Sequence, residues 1–176
     1  MENLPQWYAL YTRSRFELKS ASLLHSKNIE AYVPVRRVVK QWSDRKKLID
    51  EPVIPSYVFV RILPEQYNQV LDTDGIVRYV FFCGKPAIIP DNQIHVLKAV
   101  MGADVEVDCV SGILHPGTQV RVNAGPLCGL EGELIRVAGK HKVIVRLESM
   151  QQALMITLSP SLLEPSRQNR QNLALA

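Results

Sequence analysis

Apolar positions change their spacing along this chain, and the changes mark out its elements. The stretch "QWYALYT" at 6–12 alternates and predicts a strand. It runs into "SRFE", where Ser14 and Glu17 fit a capping box, a hydroxyl and a carboxylate each satisfying an orphaned backbone N–H. A helix is predicted from there, burying Phe16, Leu23 and Leu24 and turning Arg15, Lys19, Ser22 and Ser26 to another face, with Asn28 at its C′ position. "AYVPVRRVVKQ" and "KKLIDEPVI" flank "WSDR" as a β-hairpin with a basic tip carrying Trp42. "SYVFVRI" at 56–62 is the clearest strand, with Tyr57, Phe59 and Arg61 on one face and Val58 and Val60 on the other. A short helix follows Pro64 and stops at Gly75, strands surround "CGK", and a last helix starts at Asp91, with Ile94, Leu97 and Met101 on one face, and ends at Gly102. Hairpins mixed with helices predict an α+β sandwich on a mainly antiparallel sheet.

After residue 102 the helical spacing disappears. Residues 103–115 read as a linker, and from Gly117 "TQVRV", "GELIRVA", "KVIVRLE" and "ALMITLS" are four short strands at regular spacing, with "LLE" a possible fifth. Short regular strands predict a small five-stranded β-barrel. The division is therefore 1–102, a linker at 103–115, a barrel at 116–165 and a flexible tail at 166–176.

The stretch "VRVNAGPLCGLEGELIRV" offers a nucleotide-binding alternative. A phosphate loop needs G-x-x-x-x-G-K-[ST] leading into a helix, so that bent backbone N–H groups face the anion. Here Gly125 and Gly129 are four apart, Leu130 and Glu131 replace the lysine and hydroxyl, and a strand follows. The glycines instead suit positions of positive φ or close strand approach.

Charge changes the picture more than composition does. In the chain of 176 residues, 47% hydrophobic and 22% charged, the formal net charge is +4. Residues 1–102 hold 14 Lys and Arg against 10 Asp and Glu, and residues 103–176 hold 7 against 7. Within 13–47, ten cations face three acids, a footprint suited to a phosphate backbone. The longest apolar runs fall short of a membrane span and the N-terminus does not resemble a signal peptide, so a cytoplasmic protein is expected. Three dispersed cysteines and four dispersed histidines support neither a disulfide framework nor a metal site, and no catalytic constellation, cofactor or membrane partner is indicated.

"PGTQVRVNAGPLCGLEGELIRV" resembles the KOW motif, and "WYALYT", "IPSYVFVRI" and "GKPAIIPDNQIHVL" resemble the N-terminal (NGN) domain of the NusG family of transcription elongation factors, in the family's domain order. The resemblance implies binding to the clamp helices of RNA polymerase through an apolar cavity, here Tyr11, Tyr57, Phe59, Phe82, Ile94 and Leu97. It implies contact with non-template DNA through Arg13, Arg15 and Lys19, to which the hairpin tip with Trp42, Arg45, Lys46 and Lys47 is added as a cationic surface with a stacking ring. Gly117, Gly125, Pro126, Gly129 and Gly132 take structural roles in the KOW domain. Ser56 where a glycine is usual, Ile54 where an aromatic is usual, and "KQWSDRKK" resemble the specialised RfaH and UpxY paralogues. These departures imply an operon-specific antitermination factor, of a surface-polysaccharide operon. The alternatives are the general elongation and termination factor, with Rho as a further partner, and a ribosome-associated KOW protein. A monomer is expected, with a KOW domain that stays β-structured because "KVIVRLE" and "ALMITLS" are rich in β-branched residues.

Overall fold

The computed structural model describes residues 4–41, 45–111, 117–137 and 139–166. Its contacts define two compact units, Met1–Ile94 and His95–Ala176. Trp42, Pro116 and the tail beyond Ser166 lie outside the described residues.

In the first unit β1 (Gln6–Thr12), α1 (Glu17–Ser26), β2 (Glu30–Tyr32), β3 (Val35–Gln41), β4 (Lys46–Pro52), β5 (Tyr57–Ile62), α2 (Tyr67–Leu71), β6 (Ile76–Tyr79), β7 (Phe81–Phe82), β8 (Lys85–Pro86) and β9 (Ile88–Ile89) follow in order, before α3 (Asp91–Gly102), within which the division falls. The main sheet runs β2-β5-β1-β6, with β9 also on β1, and its described pairs are all antiparallel. Tyr8 pairs with Val60 and Leu10 with Val58, so the face that carries them also carries Tyr79, opposite Leu10. That face packs with Leu24 of α1 and Val70 of α2 into one buried cluster. Tyr67 stacks on Tyr79 with centroids 4.0 Å apart, and the Tyr79 hydroxyl donates to the Tyr67 carbonyl, which gives a buried phenol its partner. Burial also raises the Tyr79 pKa above the ordinary phenol range.

Helix α1 departs from the sequence expectation at its start. It begins at Glu17, with Phe16 at the N-cap and no side-chain cap, and Arg15 has φ of 64°. That left-handed residue breaks the helical path which a capping box from Ser14 would need. The Glu17 carboxylate, buried, instead accepts the Ser56 N–H at 2.6 Å. The C-terminus is as expected: Asn28 is left-handed, its N–H donates to the His25 carbonyl, and the Ile29 N–H donates to that of Leu24, a Schellman motif.

The second unit holds β10 (Val107–Ser111), β11 (Thr118–Val122), β12 (Glu131–Val137), β13 (Lys140–Leu147), β14 (Gln152–Thr157) and β15 (Leu163–Pro165). The expected five-stranded barrel is not formed. The sheet is an open path of six strands, β10-β14-β13-β12-β11-β15, and its two ends do not pair with each other among the described residues. Two features explain the difference. Part of the segment read as linker, Val107–Ser111, alternates well enough to add to β14, with Val107 opposite Ile156 and Cys109 opposite Leu154. At the other end β15 is only three residues long and ends in Pro165, which has no N–H to offer a closing strand. The segments "KVIVRLE" and "ALMITLS" are strands, contributing β13 and β14.

Gly125 and Gly129 have φ of 82° and 90°, so both occupy the left-handed region in the β11–β12 connection. The loop consumes its own N–H groups: Cys128 donates to Gly125, Leu130 to Leu127, and Gly129 to Val122, while the Val122 N–H returns to Leu130. Those donors are therefore committed to closing a corner, not aimed at an anion. Gly132 serves close approach instead, since a Cβ there would lie 2.5 Å from the Ile144 carbonyl oxygen and 2.7 Å from Val143 Cγ1.

Candidate functional site

The six residues expected at the polymerase surface have different environments. Tyr11 of β1 and Tyr57 of β5 are direct cross-strand partners, which places both on the sheet face opposite α1 and α2. Their rings lie 4.7 Å apart and the Tyr57 hydroxyl donates to that of Tyr11 at 2.9 Å. Phe59, two residues on, shares this face and is fully buried opposite Ala9, while Ile94 and Leu97 of α3 are also buried. Phe82 stands apart in the β7–β8 hairpin. Cys83 and Gly84 both have positive φ in this two-residue turn, the geometry of a type I′ connection. The hairpin leaves Phe81 51% and Phe82 44% exposed.

Two further residues join this face only once the strand register is known. Arg78 sits opposite Tyr11 across the β1–β6 pairing, with its guanidinium 4.8 Å from the ring centroid. Tyr32 sits opposite Phe59, with ring centroids 6.4 Å apart, and burial raises its phenol to about 12. Trp7 lies in the same parity of β1 as Tyr11, also buried. An aromatic face edged by an arginine is the residue mixture of protein-binding hot spots. The sequence carried no separate signal for Arg78 or Tyr32, because their roles depend on which strands are neighbours.

Ser56, immediately before β5, has φ of 64°. It adopts the backbone that a glycine would supply, and its carbonyl accepts the Thr12 N–H at 2.9 Å, extending the ladder beyond the tyrosine pair. The buried Glu17 carboxylate on its N–H thus fixes where β5 begins.

The residues expected to meet DNA fall in two places. Arg13, Arg15 and Lys19 are exposed around the β1–α1 junction. Arg13 and Lys19 both pair with Asp74 in the turn between α2 and β6, Lys19 Nζ at 2.9 Å. Both cations also lie over the Phe16 ring, Arg13 at 4.1 Å and Lys19 at 4.8 Å from its centroid. The Lys19 hydrogen bond, with the Arg13 charge, holds the Asp74 carboxyl below its ordinary range.

The second place is the β3–β4 ribbon, in which Lys47 faces Lys40 and Lys46 faces Gln41. Glu51 accepts from Lys40 at 3.0 Å and approaches Arg36 at 3.3 Å, and Asp50 lies 3.7 Å from Arg37. The acids therefore neutralise the base of the ribbon, while Arg45, Lys46 and Lys47 near its tip make no ion pair among the described residues. No group of three or more metal-ligating side chains is found among the described residues, and no described helix is long and apolar enough to cross a membrane.

An antiparallel sheet with helices on one face and aromatics on the other, followed by a small β-sheet unit with a glycine-rich corner, resembles an NGN domain followed by a KOW domain. The family described as "Transcription termination factor nusG" matches residues 5–98, more than half of the chain, and the chain belongs to this NusG family. Its function is that of a NusG-type transcription elongation factor. Among solved structures, "Domain interaction in Thermotoga maritima NusG" is 23% identical with a TM-score of 0.53, covering 92% of this chain and 97% of that one. "Crystal Structure of MjSpt4:Spt5 complex conformation B" is 19% identical over 90% of this chain and 95% of that one, with a TM-score of 0.30. Nothing in these comparisons singles out the specialised RfaH or UpxY group.

Proposed function

We propose that this chain is a general elongation factor that seats its aromatic face on a helical element of RNA polymerase and lays its basic junction along the non-template DNA strand. Half-buried Tyr11, hydrogen-bonded to buried Tyr57 and edged by exposed Arg78, carries the reading: a ring with polar handles at the surface suits a partner helix, with Phe59, Ile94 and Leu97 as buried support. Membership of a transcription-factor family supports RNA polymerase as the partner, and exposed Phe82 offers an anchor to be buried on docking.

Copurification with RNA polymerase tests the reading. Phe82→Ala removes an exposed ring, leaves the core intact and is expected to weaken capture. Tyr11→Phe tests the rim hydroxyl in the same assay. Unchanged capture by both variants would refute the site.

The operon-specific reading rests on Ser56, Ile54 and "KQWSDRKK". Run-off transcription separates it from the general one. A general factor alters elongation on unrelated templates, whereas a specialised antiterminator acts only downstream of its own recruitment sequence. Pull-down with Rho or with ribosomes assigns the partner of the KOW unit, and the monomeric state is checked by sedimentation.

A further inference from the structure

Two of the cations proposed above for the DNA contact are already occupied by an acid of the same chain. Arg13 and Lys19 come from the end of β1 and the first turns of α1, 55 to 61 residues before the carboxylate they share, and Asp74 engages both with its two oxygens. The turn that presents Asp74 does not depend on that carboxylate. The Arg13 backbone N–H donates to the Gly75 carbonyl at 2.8 Å, Ser20 Oγ donates to the Asp74 carbonyl at 2.9 Å, and the Ile76 N–H donates to Thr73. Gly75 has φ of 90°, and a Cβ there would meet Ser20 and Phe16, so the turn is pressed against α1 through its backbone.

The carboxylate itself is 51% exposed, and its partners are 54% and 59% exposed. Ion pairs this open contribute little to folding. What they do accomplish is electrostatic: one negative charge occupies the guanidinium and the ammonium that would otherwise meet a phosphodiester. A carboxylate and a phosphate compete for a guanidinium through the same charge-assisted hydrogen bonds. Phe16 holds both cations from below, so they remain side by side when the acid is displaced.

We propose that Asp74 is an intramolecular competitor for the DNA phosphate, occupying the Arg13–Lys19 site and setting how weakly the free protein holds single-stranded DNA. This deepens the DNA contact proposed above and rests on it. Before DNA binds, Asp74 caps the site; on binding, a phosphodiester of the strand exchanges for the carboxylate, which turns to water. The exchange makes the site selective for a strand already held nearby by the polymerase and suppresses indiscriminate retention on other nucleic acid.

The test measures binding of the full chain to a labelled single-stranded oligothymidylate over a series of salt concentrations. Asp74→Asn keeps the size of the side chain and removes its charge, and Asp74→Ala removes the carboxylate altogether. Both are expected to tighten binding by about two- to tenfold at low salt, the size of two exposed ion pairs released. The slope of log affinity against log salt should steepen by up to about 1.4, about 0.7 for each cation freed to meet a single strand. Arg13→Ala and Lys19→Ala should weaken binding, and Asp74→Asn placed on the Arg13→Ala/Lys19→Ala background should change nothing.

The possible failures are distinct. If the cation variants weaken binding while Asp74→Asn leaves it unchanged or weakens it, Asp74 orients the cations and the competitor is refuted, with the DNA contact intact. If the cation variants change nothing, the DNA contact at this junction is itself refuted, and the competitor with it. Circular dichroism of each variant checks that the helices are retained.

Discussion

The contact between Glu17 and Ser56 makes the most demanding prediction, because it joins a strained backbone to a buried charge. Glu17→Ala removes the acceptor from the Ser56 N–H, now 2.6 Å from a carboxylate oxygen in a part-buried position. A buried donor left without a partner costs about 1–3 kcal/mol. The same change deletes the acid in the first turn of α1, worth about 0.3–1 kcal/mol to the helix. Together these predict a loss of about 1.3–4 kcal/mol. Each kcal/mol lowers Tm by about 4–8 °C in a unit of this size, so thermal unfolding of the full chain should show the first unit melting at least ~5 °C lower. Glu17→Gln keeps an acceptor oxygen and should lose less than half of that. Ser56→Gly removes the left-handed penalty of about 1 kcal/mol, offset in part by the greater freedom of glycine in the unfolded chain, and should leave the unit as stable or more so. A Glu17→Ala variant that melts within ~2 °C of the parent would refute the anchoring role, since that is the behaviour of an exposed glutamate.

Three further predictions concern separate elements. Glu133 is held below the ordinary carboxyl range by its hydrogen bond from Arg146, with the Gly117 N–H and the Arg146 charge adding to it. A depressed carboxyl contributes stability above its unfolded pKa and loses it as pH falls through the depressed one. The Tm of the second unit should therefore decline below pH ~4.5, and Glu133→Gln should flatten that decline while lowering Tm at neutral pH. Gly132→Ala should cost about 1–3 kcal/mol in denaturant unfolding, because its methyl would press on the Ile144 carbonyl oxygen of the neighbouring strand at 2.5 Å. Asn28→Ala should destabilise α1 and Asn28→Gly should not, since the C′ residue is left-handed at φ of 58°; equal effects in thermal melts would contradict the Schellman assignment.

Local patterns were the legible part of the sequence. The strand at 6–12, the basic hairpin, the strand following Ser56 and the Asn28 helix end each follow from alternation or from one residue's backbone preference. Glu17 shows where local reasoning stops. Its spacing from Ser14 fits a reciprocal cap, but the carboxylate is taken by Ser56, 39 residues away, and the left-handed Arg15 leaves Ser14 outside the helix. Ser56 itself differs from the usual glycine in side chain but keeps the glycine conformation, so that departure leaves the start of the strand unaltered. Asp74 was equally hidden: charge counting exposed the cations at 13–47, while the acid that neutralises two of them arrives from a distant turn. Sheet closure was illegible for a related reason. Strand spacing predicts how many strands form, whereas an open or closed sheet depends on whether its two end strands meet, and here the ends are β10 and β15.

The position of β10 sets where the chain can be cut. A fragment starting at 116 would leave behind the five residues that pair with β14 along Gln152–Ile156, among them Asp108, whose carboxylate takes the Lys142 ammonium at 3.1 Å. Its new boundary strand would display unpaired backbone beside Leu154 and Ile156, a template for a second copy of itself. A fragment starting before Val107 carries its own protective edge, so solubility of the isolated second unit should turn on those few residues and not on the KOW corner.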